Sequence, residues 1–349
     1  FATMFAVAAS RDSFARSVEV VLDNSFARRF DGAFLATLFD GIQAKNLHLV
    51  QGGKAFRQPT PASVQRNAVE PRGKSLLWGG TSHPGLLNEV GQAMRVKPRA
   101  IAMREGFAVE RALPSNPKGK RVFMLQAKQV GNAERYHHEL LETLYVAWQA
   151  KRQGAAEVNL VLPYLPYSRS DRADQAGVTV GAALLPQLAK AVGVDRVTFY
   201  SAHQAQEVGM FTALGIPVAH AAGEAVLAPV IAKDLARFKG NSRVKQRTKL
   251  KVAAPDGGAD KRARLFAKLL AISLGLQKPL EVVIAHKVRV GKKTKTTFPD
   301  QDVGGATLVG MDDETASGGT MHDLAEAALN AGARQIIAVV DHLTGAAHK

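Results

Sequence analysis

Leu308-Val-Gly-Met-Asp-Asp-Glu-Thr-Ala-Ser-Gly-Gly-Thr320 is the stretch on which the reading of this sequence turns. A short apolar strand, residues 306–310, runs into the paired carboxylates Asp312 and Asp313, and glycines then lead into a helical period over residues 320–330. Glycine lets backbone N–H groups face an anion. Gly318 and Gly319 supply that freedom, Ser317 and Thr320 add hydroxyl donors, and the following helix points its positive end at a bound phosphate. Asp312 and Asp313 suit sugar hydroxyls or a magnesium-bound group. On this reading residues 311–320 form a strand-to-helix phosphate cradle. The plainer alternative is a helix-capping turn with solvated acids.

Outward from that stretch, short apolar runs alternate with helical periods from about Gly73 onward, the signature of α/β domains with mainly parallel sheets. Strands are expected at 158–162, 196–200, 250–254, 280–285 and 335–340, and helices at 134–153, 184–192, 224–238 and 260–274. In the helix at 134–153, Leu140, Leu144 and Trp148, with Leu141 and Tyr145, define the apolar face. Pro186 is awkward inside its helix, because proline removes a backbone donor and clashes one turn back. Residues 1–72 read as an extension. Its first 30 residues are rich in Ala, Ser, Phe and Arg, as organellar presequences are, although Asp12, Glu19 and Asp23 break the acid-poor pattern.

The 349 residues, 46% hydrophobic, suffice for two domains with their own cores. Apolar runs are strand-sized, far below the ~20 residues of a membrane span. With no cysteine, disulfides, thiolate nucleophiles and cysteine-ligated metals are excluded.

Charge is the informative bulk quantity: 46 Lys+Arg against 30 Asp+Glu leave +16, with a pI near 10.1. A basic field attracts phosphate-rich partners, nucleic acid first among them. The excess gathers in Lys239, Arg243, Lys245, Arg247, Lys249 and Lys251, with no acid between, and again in Lys287, Arg289, Lys292, Lys293 and Lys295. Both runs read as solvated loops or as phosphate contacts.

The paired acids and glycine-threonine turn resemble the ribose-phosphate loop of the ribose-phosphate pyrophosphokinases, which make phosphoribosyl pyrophosphate (PRPP). Four further segments resemble that family. Pro163-Tyr-Leu-Pro-Tyr-Ser-Arg-Ser-Asp-Arg172 is similar to its ATP-side motif, which implies ATP contacts from Arg169, Asp171 and Arg172. The segment from Arg196 to Phe211 resembles the strand and histidine motif of a magnesium site, implying that role for His203. A lone histidine after a strand also reads as a hydrogen-bonded structural residue. Pro255-Asp-Gly-Gly-Ala-Asp-Lys-Arg-Ala-Arg264 resembles the segment whose aspartate, here Asp256, shares the metal. Ile284-Ala-His-Lys-Val-Arg289 resembles the catalytic flexible loop, implying that Lys287 and Arg289 stabilise the transferring phosphoryl group. Taken alone, that last segment reads as a charged hairpin.

The resemblance runs from about Leu76 to Ala347 and implies two tandem phosphoribosyltransferase-like domains, at 73–220 and 221–349. The second reads as truncated relative to the family, which would leave an open sheet edge. The sequence departs from the family at the adenine-binding segment, where Arg104, Gly106 and Ala108 stand, and at Ser170, Ser201 and Ala316. Each removes a polar contact, and a hydrogen bond to a charged group contributes ~1.5–3 kcal/mol.

Two function classes follow. The first is a PRPP-synthetase-like protein of lost or weakened catalysis, a structural subunit contacting RNA and neighbouring proteins in a mitochondrial assembly such as the mitoribosome. The second is an active enzyme, Mg²⁺-dependent and homo-oligomeric, that transfers pyrophosphate from ATP to ribose 5-phosphate. A non-catalytic regulatory partner of active synthetases is a third possibility that the resemblance implies.

Overall fold

A computed structural model describes residues 6–10, 20–21, 75–80, 82–101, 113–128, 133–173, 175–240, 249–290, 293–299 and 301–344. The chain divides into two compact units between Ala221 and Ala222, the second also taking in residues 2–26. Residues 104–108, where the adenine segment was expected, and 241–248 of the basic run lie outside the described residues.

The first unit is built on a parallel sheet of β3 (Ser75–Gly79), β4 (Pro98–Ala100), β5 (Arg121–Leu125), β6 (Glu157–Leu162), β7 (Arg196–Tyr200) and β8 (Val218–Ala221), in the order β4-β3-β5-β6-β7-β8. Its helices are α1 (Pro84–Met94), α2 (Ala133–Arg152), α3 (Leu184–Ala191) and α4 (Gln206–Thr212). Central strands are buried almost end to end, as both faces are covered. Trp78, Phe199, Phe211 and Leu160 are enclosed between the layers. Each contributes about 1.5–3 kcal/mol by leaving water.

In α2 the buried stripe is Tyr136, Leu140, Thr143, Leu144, Ala147 and Ala150, while Leu141, Tyr145 and Trp148 are exposed. This corrects the apolar face read from periodicity. The stripe is displaced because polar Glu139 and Thr143 point inward, where Gln126 donates to Glu139 at 3.1 Å and accepts from Thr143 at 3.0 Å. Pro186 sits in the first turn of α3, where N–H groups have no intrahelical acceptor, so no kink is needed.

The second unit has β9 (Leu250–Ala254), β10 (Glu281–Ile284), β13 (Thr307–Thr315) and β14 (Gln335–Leu343) in parallel, in the order β10-β9-β13-β14. Packed with them are α5 (Gly223–Gly240), α6 (Asp260–Ser273) and α7 (Gly319–Asn330). Strands β11 (His286–Val290) and β12 (Lys293–Thr297) pair antiparallel, as the charged-hairpin reading of this segment expects.

The open edge expected at the last strand is paired over residues 335–337. Strand β1 (Ala6–Ser10) runs antiparallel along it, Ala8 opposite Ile337, and β2 (Val20–Val21) follows β1. Part of the extension thus belongs to the sheet of the second unit.

Candidate functional site

In open α/β sheets, ligands gather at the carboxyl ends of the strands. In the second unit Asp256 follows β9, Lys287 follows β10, Asp312 and Asp313 lie towards the end of β13, and Asp341 lies towards the end of β14. Parallel pairing brings four strand ends to one edge.

The segment expected to cradle phosphate is a strand, a three-residue bend and a helix. Gly318 has φ 81°, a left-handed conformation that favours glycine, and caps α7. The Gly318 N–H donates to Thr315 Oγ1 at 3.0 Å and the Gly319 N–H donates to Ser317 Oγ at 3.3 Å. A Cβ built on Gly318 meets nothing within 4 Å, so the space in front of the turn is open. Glycine is required here by backbone conformation, not by crowding.

Beside the turn, Asp312 is pushed up to about 7 by burial, with Asp313 and then Asp256 adding like-charge repulsion. Asp256 accepts from the Gly258 N–H at 3.0 Å and holds Lys287 Nζ at 3.2 Å. Arg262, in the first turn of α6, lies 3.1 Å from Glu224 and 3.0 Å from Asp341. Burial works against its charge, but Glu224, Asp341, Asp313 and Asp312 together hold its pKa above the ordinary value.

Five carboxyls thus share this edge with Arg262 and Lys287, and three of them are already paired with those cations. Among the described residues no three His, Asp or Glu side chains are grouped to hold a metal. Mg²⁺ is commonly bound through one or two carboxylates, waters and substrate phosphates, so the residues fit it only in that mode. His203 and Asp256, expected to serve one metal, belong to different units.

In the first unit, the loop after β6 and the loop after β7 also meet at the carboxyl edge. Gln206 Nε2 donates to Asp171 Oδ2 at 2.7 Å, and Arg172 is 4.0 Å from the same carboxylate. These residues line a cleft of about 530 Å³ with Gln204, Gly209, Met210 and Ala213. Ser201 has φ 47°, and the next N–H, of Ala202, donates to His220 Nε2 at 3.0 Å. Glu207 is buried beside His203, and burial raises its pKa to about 7.

The model of the N-terminal domain of ribose phosphate pyrophosphokinase matches residues 75–193. Ribose-phosphate pyrophosphokinase 1 of Streptococcus pneumoniae is 32% identical over 273 residues, 76% of this chain and 77% of the relative. The chain belongs to the ribose-phosphate pyrophosphokinase family. The chloroplastic ribose-phosphate pyrophosphokinase 5 of Arabidopsis thaliana is 29% identical over 315 residues, 87% of this chain and 72% of its own length. The crystal structure of phosphoribosylpyrophosphate synthetase from Mycobacterium smegmatis shares the fold, with TM-score 0.62 and 24% identity over 75% of this chain and 79% of that one.

Within this ribose-phosphate pyrophosphokinase fold, one departure from the family pattern, Ser170, has a structural explanation. Ser170 Oγ donates to the Thr179 carbonyl at 2.6 Å and accepts from the Gly181 N–H at 3.0 Å, so it ties its loop to the turn before α3. Ser201 adopts a left-handed backbone that the His220 contact helps hold.

The basic run is corrected more substantially. Lys251 is buried within β9, where its ammonium lies 2.7 Å from Glu281 and 2.6 Å from the Asp302 carbonyl, so it is not an RNA contact. Lys249 is exposed but paired with Asp302 at 2.8 Å. Lys239 lies in the last turn of α5, and Arg243, Lys245 and Arg247 lie outside the described residues. Sequence reading missed Arg262, Glu224, Asp341, Glu207 and His220. Arg262 alone carried a signal, as an arginine within the Pro255-to-Arg264 segment that resembles the family.

Proposed function

We propose that this chain is a ribose-phosphate pyrophosphokinase that transfers the pyrophosphoryl group of ATP to the 1-hydroxyl of ribose 5-phosphate. The supporting observation is the convergence of Asp312, Asp313, the 317–320 turn and the Lys287–Asp256 pair at one edge of the second sheet. The turn receives the 5-phosphate on backbone N–H groups and the Ser317 and Thr320 hydroxyls. Asp312 and Asp313 accept hydrogen bonds from the ribose hydroxyls. O1 then attacks the β-phosphorus, its proton passing to solvent, and the bond to the α,β-bridging oxygen breaks, its electron pair leaving with AMP. Lys287 and Arg289 balance charge on the β-phosphoryl oxygens as that bond opens.

Arg169, Asp171 and Arg172 supply the ATP side in this reading. Mg²⁺, if held there, would supply positive charge against the triphosphate. Asp256 in the second unit would hold it through water, and His203 is assigned to the ATP side of the first unit. Phosphorus NMR of the purified chain with ATP, Mg²⁺ and ribose 5-phosphate tests the reading. PRPP and AMP in equal amounts, lost in Lys287→Ala while ribose 5-phosphate still binds, are the expected result.

A second reading, a weakened or non-catalytic member contacting RNA in a mitochondrial assembly such as the mitoribosome, is favoured by the +16 charge and by Ala316, Ser170 and Ser201. Ribose 5-phosphate binding without turnover would select it. Composition of the first 30 residues supports an organellar location for either reading.

A further inference from the structure

The amino edge of the sheet in the first unit, opposite the ATP-side loops, gathers cations from four successive connections. Lys97 precedes β4, Lys118 and Lys120 precede β5, Arg152 closes α2 ahead of β6, and Lys190 lies in the last turn of α3 ahead of β7. All strands are parallel, so these connections open onto one edge. Contacts between them confirm the adjacency: a Cβ on Gly154 would lie 3.5 Å from Lys118 Cγ, and one on Gly215 would lie 3.8 Å from Lys190 Nζ.

The acids of this edge are already engaged. Glu157 lies 3.1 Å from Arg121 and 3.6 Å from Arg196, and Asp195 lies 2.9 Å from Lys151. Among the described residues none of Lys97, Lys118, Lys120, Arg152 and Lys190 is in an ion pair, and all but half-buried Lys120 are exposed. From β4 to β7 is four strand spacings, about 19 Å. Cations spread over that span do not converge on one small anion. They match an extended row of phosphates.

An aromatic surface adjoins them. Trp148 is 39% and Tyr145 44% exposed on the last turns of α2, with ring centroids 6.0 Å apart, and the Arg152 guanidinium lies 5.0 Å from the Trp148 ring. Interleaved cations and exposed aromatic rings suit unpaired bases, which stack while the backbone tracks the positive charge. A duplex keeps its bases inside and offers no such partner.

We propose that this edge is a docking surface for single-stranded RNA, held by backbone phosphates on Lys97, Lys118, Lys120, Arg152 and Lys190 and by base stacking on Trp148. It is separate from the residues assigned to pyrophosphoryl transfer and does not depend on that assignment.

The test is fluorescence anisotropy of the full chain with a labelled, mixed-sequence single-stranded RNA of about 20 nucleotides across a salt series. The slope of log K against log salt is expected to fall by about 0.7 per phosphate contact removed, so by about 3 in the combined Lys97→Ala, Lys118→Ala, Lys120→Ala and Lys190→Ala variant. Trp148→Ala should weaken binding about tenfold. A matched variant, Arg243→Ala, Lys245→Ala, Arg247→Ala and Lys249→Ala, removes equal charge elsewhere and should lose distinctly less. Circular dichroism confirms that both remain folded. An equal loss in the two variants assigns binding to the general charge and overturns the proposal. So does an unchanged slope in the edge variant, or capture of phosphatidylserine vesicles without RNA binding.

Discussion

Arg262 Nη1 lies 3.0 Å from Asp341 Oδ2, joining the first turn of α6 to β14, and the same nitrogen reaches Glu224 of α5 at 3.1 Å. Asp341 is wholly buried and occupies the space above Gly223, where a Cβ would overlap its carboxylate. Three elements are thereby pinned beside the Asp312–Asp313 pair.

Removing the guanidinium leaves two buried carboxylates without their counter-charge. Arg262→Ala is therefore expected to cost about 3–5 kcal/mol, read as a lower urea midpoint. Gly223→Ala should also destabilise, and Asp341→Ser in the same chain should recover part of the loss by clearing the overlap. Independent, additive effects of the two substitutions would contradict the contact.

Asp312 and Glu207 both have folded pKa values of about 7, above their ordinary 3.8 and 4.5. Between those values and 7 the folded chain keeps protons that the unfolded chain has released, so stability falls as pH rises through that window. The urea midpoint should drop from about pH 5 to about pH 7.5, and Asp312→Asn or Glu207→Gln should each flatten the decline. Ribose 5-phosphate, if it uses ionised Asp312, should bind more tightly towards the upper end of the window.

Gly318 tests conformation against crowding. With φ 81° and open space around its missing Cβ, Gly318→Ala should cost about 1–2 kcal/mol of backbone strain and weaken ribose 5-phosphate binding measured by calorimetry. Gly318→Asn, which tolerates the left-handed region better, should recover part of the loss.

Lys287 and Asp256 form a partly exposed pair, 3.2 Å apart, worth at most about 1 kcal/mol to folding. Lys287→Ala should leave the urea midpoint nearly unchanged yet lower PRPP formation by about a hundredfold or more, as loss of a charge-stabilising group does. A parallel loss of stability and activity would make the lysine structural.

Much of the fold was legible because its signals are local. Residues 196–200 and 250–254 form β7 and β9 as their largely apolar runs imply, since strands covered on both faces favour apolar sequence. The turn at 316–318 was equally legible, because left-handed backbone calls for glycine wherever the chain lies.

The alternation of strands and helices and the glycine turn at 316–318 were readable along the chain, because short-range conformational preference sets both. Which charges remain available and which are engaged emerged from packing alone. Lys251 and Lys190 look alike in sequence, but one is buried against Glu281 and the other is exposed at a sheet edge. The pairing of β1 with β14, the inward turn of Glu139 and the Arg262–Asp341 bridge were hidden for the same reason. Each joins residues distant along the chain or depends on what packs against a helix, and a solvation energy set by distant neighbours leaves no local mark.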